Sequence, residues 1–526
     1  MTSLLRRSAV VIASTVVLGL GLPVVPAKAG TTPAKPTANP TAKPAPKTPA
    51  AKTPAAKTPA AKTPVQSVPT TPTLASRLAA VKTAKAINYY PSTAGWSRMW
   101  SSFDATKIDA DMARADALGA TGIRAIIFPN TFGYPAPKAE YTARLAKFVT
   151  MADAHGLSVK FTLFDWWGAY SDVTGSAAWA GAILKPYVND KRVISVELQN
   201  EFDTSDPAAV AWARKIVPVV RAVAPAMPLT FSVNGTTGAA GMAAIKSMLA
   251  ATPLDFFDFH FYTSSERALA VIRKAQATVA PAPVVIGEVG LNTLQNTDGE
   301  QAAFLARVFQ AATVAGVRSV APWTLTDFAV GAIPESAVGK LQAQYNYGLY
   351  RTDGTAKPAA AVVRAAFTGT AYPADLMDNS FEAAAGLTSW RAYLPEVGLA
   401  VKTRSAARTG RWSVSIANAG KGASGSPSFR VAPIVPILPG QRWRGEVWAR
   451  GNAATGITQI ALSWFDANDN WLGGAASATL PLGTTNWTKL SAAGSAPAGS
   501  ASMQIHLKSG DNTGTVWFDD VVMSVS

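Results

Sequence analysis

The middle of the chain alternates short apolar runs with longer segments whose apolar residues recur at helical spacing. Segments such as KIDADMARADALG and DPAAVAWARKIVPVVRAVAP are typical of amphipathic helices, whereas the apolar runs have the length of buried strands. Strands are predicted at residues 86–90, 122–128, 157–164, 193–199, 228–233, 255–262, 283–290 and 319–325.

This alternation predicts an α/β fold. Eight strands, each followed by a helix, are typical of a closed (β/α)8 barrel, the TIM barrel. A doubly wound open sheet is the alternative, but it calls for a glycine-rich phosphate turn after an early strand. The sequence contains no such turn, so the barrel is favoured.

After about Pro373 the pattern changes to short segments in which apolar and polar residues alternate. Examples are WRGEVWAR, TQIALSWFD and SMQIHLK, separated by turns rich in Gly, Asn, Asp and Ser. Alternation with period two and closely spaced turns predicts an all-β jelly-roll sandwich over residues 373–526.

The N-terminus has the order of a secretory signal peptide. Arg6 and Arg7 precede an apolar run that ends at Ala27-Lys28-Ala29, which predicts a signal peptide over residues 1–29. The alternative is an uncleaved membrane anchor, but Gly and Pro interrupt the run and a spanning helix needs about 20 apolar residues. We therefore expect a secreted, extracellular protein without a membrane span after cleavage.

Residues 30–75 consist mainly of Thr, Pro, Ala and Lys, with KTPAA recurring from Lys47. Frequent proline favours an extended, disordered spacer over helix or sheet. The spacer is either a passive linker, a cationic tether to an anionic cell wall, or a glycosylated stalk. The barrel domain is then expected at residues 76–372.

The net charge of +16 does not indicate a nucleic-acid-binding surface. Residues 1–73 contain nine basic residues and no acid, so more than half of the excess lies in the leader and spacer rather than on a folded face. The chain has no cysteine, which excludes disulfides and thiolate metal sites.

Two glutamates lie where a barrel enzyme places its reacting groups, at the C-terminal ends of strands. The fourth predicted strand runs into Asn200-Glu201, and the seventh contains Glu288. Glycoside cleavage needs such a pair, because one acid protonates the leaving oxygen while the other attacks the anomeric carbon. Retaining enzymes hold the two about 5–5.5 Å apart.

Further polar and aromatic residues lie at the same ends of the strands. Arg124 and Tyr262 are expected to keep Glu288 ionised and oriented, and Asn200 is positioned to bond a sugar 2-hydroxyl. Trp323 and Trp166 offer flat faces for pyranose rings. The expected substrate-binding set is Asn88, Arg124, Asn200, His260, Tyr262, Trp323 and Trp166.

Several of these segments carry a family resemblance. INYYPSTAGWSRMW, VELQNEFD, DFHFY, VVIGEVG and GLYRTDGTAKP resemble clan A glycoside hydrolases, most closely glycoside hydrolase family 5 and its cellulases and mannanases. The resemblance covers residues 86–367. It implies Glu201 as acid/base, Glu288 as nucleophile, retention of configuration, and no cofactor for catalysis. It also implies that Arg124, Asn200, His260, Tyr262 and Trp323 line the catalytic subsite.

One departure bears on the substrate. Many family 5 cellulases carry a histidine just after the third strand, whereas this chain has Phe164-Asp165-Trp166-Trp167.

The C-terminal domain resembles a family 4/9-type carbohydrate-binding module through its NSFE opening and FDD closing segments. That resemblance implies a structural calcium ion, for which Glu382 and Asp520 are the candidate oxygen ligands. The alternative interpretation is two acids at strand ends.

We therefore expect a secreted, monomeric, retaining β-glycoside hydrolase acting on a β-linked polysaccharide or oligosaccharide, such as β-mannan, cellulose or another β-glucan. A non-catalytic polysaccharide-binding or cell-wall-associated protein on a barrel scaffold is one alternative. A transglycosidase, which uses the same residues but a sugar acceptor in place of water, is another.

Overall fold

The computed structural model describes residues 71–384, 388–393, 399–417 and 427–526. The predicted signal peptide and nearly all of the predicted spacer lie outside these residues. Within them, no helix combines the length and the apolar character needed to cross a membrane.

Parallel strands form the barrel and confirm the predicted (β/α)8 fold. They pair in the orders β1-β2-β3-β4-β5 and β6-β7-β8-β9, and backbone and side-chain bonds from Leu325 and Thr324 to the Asn88 carbonyl close the ring. The fifth predicted strand is split at Phe231 into β5 and β6. The strands are β1 (Ala86–Asn88), β2 (Gly122–Ile126), β3 (Ser158–Thr162), β4 (Val193–Glu197), β5 (Leu229–Thr230), β6 (Ser232–Val233), β7 (Phe257–Phe261), β8 (Val284–Val289) and β9 (Val320–Pro322).

Helices surround the barrel and begin where side chains can cap them. Thr297 and Glu300 form a capping box at the start of α10, and Gly316 ends that helix in the left-handed conformation. The helices are α1 (Leu74–Thr83), α2 (Arg98–Ser101), α3 (Ala105–Ala117), α4 (Pro129–Phe132), α5 (Ala139–Ala154), α6 (Val173–Leu184), α7 (Pro207–Val223), α8 (Gly238–Met248), α9 (Ala268–Val279), α10 (Asp298–Ala315), α11 (Ser336–Gly339) and α12 (Pro358–Thr368).

Helix α1 closes the N-terminal end of the barrel, and the sequence pattern did not predict it. It begins at Leu74, within the segment expected to be spacer, because Thr73 caps it. Val81 packs in an apolar cluster with Ile194 and Phe256 from the barrel. Arg77 is buried and donates hydrogen bonds to backbone carbonyls, which anchors the helix.

The C-terminal part forms two five-stranded antiparallel sheets, in agreement with the predicted sandwich. Their orders are β10-β13-β18-β15-β16 and β11-β12-β19-β14-β17. Trp443, Trp464 and Phe518 contribute to an apolar core between them. The strands are β10 (Arg391–Tyr393), β11 (Ala400–Thr403), β12 (Ser413–Ala417), β13 (Ser428–Val431), β14 (Arg442–Asn452), β15 (Ile457–Phe465), β16 (Trp471–Ala476), β17 (Thr488–Ser495), β18 (Ser502–Gly510) and β19 (Thr515–Val525).

The first of these sheets packs against the barrel through polar contacts. The Arg307 guanidinium on α10 donates to the carbonyls of Ala432 and Pro433, at 2.8 and 2.9 Å. The Thr297 hydroxyl donates to the Thr388 carbonyl at 2.7 Å. These bonds join the sandwich to the helix that follows the strand carrying Glu288.

Candidate active site

Glu288 lies on β8 and points into the C-terminal end of the barrel, where it is only 6% exposed. The Tyr262 hydroxyl donates to its Oε2 atom at 2.7 Å, and the Arg124 guanidinium donates to Oε1. Both carboxylate oxygens therefore accept hydrogen bonds from donors that fix the position of the side chain. This is the arrangement expected from the sequence for Arg124 and Tyr262.

Arg124 is the centre of a buried hydrogen-bond network. Besides Glu288 it donates to Asn88 Oδ1 at 3.0 Å, to Asn200 Oδ1 at 2.7 Å and to Glu197 at 3.0 Å. Burial alone would lower the pKa of Arg124, but Glu197 and Glu288 outweigh it and raise that pKa above its usual value. The guanidinium is therefore a permanent cation within the site.

Asn88, an expected substrate ligand, lies beneath the site surface. Its Oδ1 atom accepts from Arg124 and its amide donates to the Gly287 carbonyl at 2.8 Å, and the residue is buried. In this geometry Asn88 positions Arg124. Asn200, in contrast, is only partly buried, and its amide nitrogen is left available for a ligand hydroxyl.

A second set of buried charges lies below Glu288, and the sequence analysis missed it. Lys160 on β3 lies 2.9 Å from Glu197 and 2.5 Å from Asp258. Burial would raise the pKa of Glu197, but Arg124 and Lys160 together hold it well below its usual range. The signal was present in the sequence: charged residues occupy alternate, inward-facing positions of otherwise apolar strands.

Glu201 differs from Glu288 in backbone and surroundings. It has a positive φ of 45°, which is strained for a residue with a Cβ, and its amide is held by the Ser232 hydroxyl at 2.8 Å. Its side chain is 27% exposed and one carboxylate oxygen lies 3.0 Å from Nδ1 of His260. Glu201 therefore reaches solvent, whereas Glu288 is enclosed.

His260 lies between the two carboxylates and is fully buried. Its Nδ1 atom is 3.0 Å from Glu201 and 3.4 Å from Glu288. Burial would lower the pKa of His260, but Glu288 and Glu201 outweigh it and raise that pKa above its usual value. An imidazolium at this position links the two acids electrostatically.

Aromatic rings form one wall of the site. Trp323 lies edge-on to Trp96, with ring centroids 5.5 Å apart, and edge-on to Tyr90 at 6.1 Å. Trp166 is 39% exposed, the most open of the expected aromatic ligands, and like Glu201 it has a positive φ. Strained backbone at both residues is typical of functional sites.

Asp165, just before Trp166, is a buried carboxyl group that the sequence analysis did not select. Burial raises its pKa to about 8, and the negative charges of Glu197 and Glu288 add to this effect, although Arg124 opposes it. A protonated carboxyl group can donate as well as accept a hydrogen bond. Asp165 occupies the segment where many family 5 cellulases carry a histidine.

Glu201, His260 and Glu288 are also the one group of three acidic or histidine side chains in the described residues that could converge on a metal ion. One ligand atom from each lies within 4.8 Å of the others. The permanently charged Arg124, hydrogen-bonded to Glu288, opposes a cation at this point.

The carboxylates of the two candidate calcium ligands in the sandwich already accept hydrogen bonds from protein groups. Glu382 accepts the backbone N–H groups of Arg411 and Trp412, and Asp520 accepts the Arg408 guanidinium at 2.6 Å. These two carboxylates do not by themselves fit a calcium site. Two further oxygens nearby in sequence, Asp378 Oδ2 and Asn379 Oδ1, are buried without a hydrogen-bond partner among the described residues, and Lys402 Nζ lies 3.9 Å from the first of them. The calcium ion stays a prediction.

Residues 82–327 match the model of the family described as Cellulase (glycosyl hydrolase family 5). No curated protein matches the chain.

Several solved structures match part of this chain. An exo-β-1,4-mannosidase from Opitutaceae bacterium strain TAV5 is 19% identical with a TM-score of 0.46, over 54% of this chain and 59% of that one. A GH5_18 protein from Streptomyces cattleya, solved in complex with Manb1-4GlcNAc, is 20% identical with a TM-score of 0.47, over 56% and 83%. A GH5_18 protein from Bifidobacterium longum subsp. longum is 19% identical with a TM-score of 0.46, over 55% and 81%.

The family match spans every strand of the barrel and ends beyond Trp323, so it includes both carboxylates and the network around Arg124. Residues 82–327 therefore form a domain of glycosyl hydrolase family 5, a family of O-glycosyl hydrolases.

Proposed function

We propose that this protein is a retaining β-glycoside hydrolase in which Glu288 is the nucleophile and Glu201 the acid/base. The observation that carries the proposal is the distance between them: one oxygen of each carboxylate lies within 4.8 Å of the other. That separation suits direct attack by one carboxylate, as in retaining enzymes, and leaves too little room for the water that inverting enzymes place between them.

The surroundings of each carboxylate support its role. Glu288 is enclosed, and Arg124 and Tyr262 orient both of its oxygens, so an anion is available at a fixed position. Glu201 is more exposed, and His260 is the group that approaches its carboxylate, so it can exchange protons with the substrate and with water.

The reaction then proceeds by double displacement. A Glu288 oxygen attacks the anomeric carbon as the glycosidic C–O bond breaks, and Glu201 gives its proton to the leaving oxygen. Glu201, now a carboxylate, takes a proton from water, whose oxygen attacks the anomeric carbon and releases Glu288. In this proposal the Asn200 amide bonds the sugar hydroxyl next to that carbon, a contact that strengthens as charge develops.

The proposed substrates are β-linked polysaccharides or oligosaccharides, namely β-mannan, cellulose and other β-glucans. The exposed face of Trp166 and the aromatic wall around Trp323 suit stacking of pyranose rings. In the same proposal the enzyme is secreted after removal of residues 1–29. The residues from 30 to the start of helix α1 separate the barrel from the point of cleavage or tether it to the cell wall. The sandwich, residues 373–526, binds glycan; a calcium ion there would need oxygen ligands besides Glu382 and Asp520.

Azide rescue tests the roles of the two acids. Glu201→Ala is expected to lose turnover of natural saccharides but to regain it on activated aryl β-glycosides when azide is added, with a β-glycosyl azide as product. Glu288→Ala is the matched variant and is expected to give no such product. If Glu288→Ala gives the β-azide and Glu201→Ala does not, the two roles are reversed.

A substrate panel tests the reaction itself. Wild-type protein is incubated with β-mannan, β-glucans, their oligosaccharides and aryl β-glycosides, with and without added sugar acceptors. Release of reducing ends supports hydrolysis, and longer products formed with an acceptor indicate a transglycosidase. Binding without turnover on every substrate would support the non-catalytic alternative and overturn the proposal.

A further inference from the structure

A cavity of about 520 Å³ lies between the barrel and the first sheet of the sandwich. The barrel lines it with the segment after β7 and with residues that follow β8, including Thr263 and Asn296. The sandwich lines it with side chains from β10, β13 and β18: Arg391, Tyr393, Arg430 and Gln504. We call this cavity the interdomain pocket.

The interdomain pocket adjoins the catalytic carboxylates. Tyr262 lines the pocket, and the hydroxyl of the same residue donates to Glu288 at 2.7 Å. A molecule that fills the pocket and a sugar ring that faces Glu288 would therefore lie on the two sides of one side chain. Segments after barrel strands form the catalytic face, so the pocket opens on the correct end of the barrel.

Fixed contacts hold the two walls of the pocket together. On α10, Thr297 donates to the Thr388 carbonyl at 2.7 Å and Arg307 donates to the Ala432 carbonyl at 2.8 Å. Arg391 crosses from the sandwich to pair with Glu300 and to donate to Asn296. The pocket is thus part of a packed interface, with a volume in the range of small-molecule sites.

The lining has the chemistry of a saccharide site. Tyr393 is 37% exposed and offers an aromatic ring, against which the Arg430 guanidinium packs at 3.3 Å from the ring centroid. Asn296, Gln504 and Thr263 bring amide and hydroxyl groups to the same pocket, and Glu266, Glu300 and Arg391 bring charged groups. Donors and acceptors beside an aromatic ring match the hydroxyl groups and C–H faces of a pyranose.

We infer that the interdomain pocket is a saccharide subsite, in which the sandwich completes the cleft that the barrel begins. It takes sugar units of the same β-linked substrate that lie beyond the unit cleaved at Glu288. This inference rests on the proposed glycosidase function and assigns the sandwich a direct part in substrate binding, in addition to any binding of insoluble glycan.

The test compares long and short substrates of the full-length protein. Wild type is first assayed on cellohexaose and mannohexaose to find which sugar it cleaves best. For that sugar, kcat/KM is then measured on the hexasaccharide and on the 4-nitrophenyl β-glycoside. Tyr393→Ala and Gln504→Ala are expected to lower the ratio of kcat/KM for the hexasaccharide to that for the aryl glycoside by about ten-fold, equivalent to about 1.4 kcal/mol.

Trp448→Ala is the matched control. Trp448 lies on β14 in the other sheet and is also packed by an arginine, with Arg408 4.0 Å from its ring centroid, but it does not line the pocket. The ratio for this variant should equal that of wild type. An unchanged ratio in Tyr393→Ala and Gln504→Ala would overturn the inference. It would also be overturned if kcat/KM fell equally on both substrates and Tm fell as well, because the substitutions would then act on stability.

A binding measurement separates failure of this inference from failure of the proposed function. Calorimetric titration of Glu288→Gln with the hexasaccharide, with and without Tyr393→Ala, does not depend on turnover. A ten-fold weaker Kd in the double variant supports the subsite even where hydrolysis is not observed. Equal Kd values for the two proteins overturn it even where hydrolysis is confirmed.

Discussion

His260 in the barrel and His506 in the sandwich lie in opposite electrostatic environments. Carboxylates of Glu288 and Glu201 outweigh burial and raise the pKa of His260. Burial lowers the pKa of His506 to about 3, and the neighbouring cations Arg430 and Lys508 add to the effect. The same side chain is thus stabilised as a cation in one domain and as a neutral ring in the other.

The difference between the two histidines reflects the number of charged side chains buried around each of them. The barrel interior holds Arg124, Lys160, Glu197, Asp258 and Glu288 in contact with one another, although burying charges costs free energy that pairing only partly offsets. The sandwich core is apolar and pairs such as Lys489 with Glu446 lie near its surface, although Asp378 and Asp519 are buried as single carboxyl groups. The barrel differs in burying cations and carboxylates together as one network.

The largest effect is expected from removing one charge at Glu288. Glu288→Gln keeps the shape of the side chain but removes the nucleophile, so kcat should fall by at least about 10⁴-fold. Glu446→Gln in the sandwich is the matched control and should leave kcat unchanged. Steady-state kinetics on an aryl β-glycoside measures both. A Glu288→Gln variant with more than about 1% of wild-type activity would contradict the assignment.

Next in size is the stability difference between a buried and a surface arginine. Arg124→Met leaves Glu197 and Glu288 without their shared cation, and breaking such a buried pair costs about 3–5 kcal/mol. Arg408→Met removes a partly exposed pair with Asp520 and should cost less than about 1 kcal/mol. Urea unfolding followed by circular dichroism gives both values. Equal losses in the free energy of unfolding for the two variants would show that the buried ion pairs of the barrel contribute no more to stability than a surface pair of the sandwich.

The sequence allowed much of this contrast to be predicted. Asn200-Glu201, Glu288 and Tyr262 fall at or near the ends of regularly spaced apolar strands. Parallel strands bring such ends together independently of the loops that follow them. The fold class followed from the same periodicity, because patterns of period 3.6 and period 2 distinguish the two domains.

Other features depend on contacts that no local pattern encodes. Helix α1 has a weak apolar face and is held by long-range bonds from Arg77 to carbonyls more than 100 residues away. Asn88 looked like a ligand at a strand end, yet its side chain is used by Arg124 and Gly287. The interdomain pocket forms where the surfaces of the barrel and the sandwich meet. The periodicity of the sequence within one domain therefore could not reveal it.

A smaller, pH-dependent effect is expected at His506. Its pKa of about 3 in the folded protein lies below the value of about 6.5 in an unfolded chain, so the unfolded state binds more protons between these values. Wild type should therefore lose stability as the pH falls from about 6.5 towards 3. His506→Gln should remove about 1–2 kcal/mol of this loss at pH 4.5. Urea midpoints at pH 4.5 and 7.5 measure it, with His155→Gln, a surface histidine, as control.

The pH dependence of stability that His260 contributes should have the opposite sign to that of His506. Its pKa is raised in the folded protein, so its contribution to stability is fully present below the unfolded pKa of about 6.5 and is lost as the pH rises through the folded pKa. The stability gap between wild type and His260→Gln should therefore be larger at pH 5 than at pH 9, as measured by urea unfolding across that range.

The cause of the His260 effect can be isolated in the same experiment. If the two carboxylates stabilise the imidazolium, repeating the comparison in a Glu201→Gln, Glu288→Gln background should reverse the pH dependence of the gap, because burial and the Arg124 cation, which both lower the pKa of His260, then act on the ring. The gap would then narrow on acidification, as at His506. A stability gap that still widens at low pH in this background would mean that a group other than Glu201 and Glu288 stabilises the charged form of His260. The difference between His260 and His506 would then not be caused by these two acids.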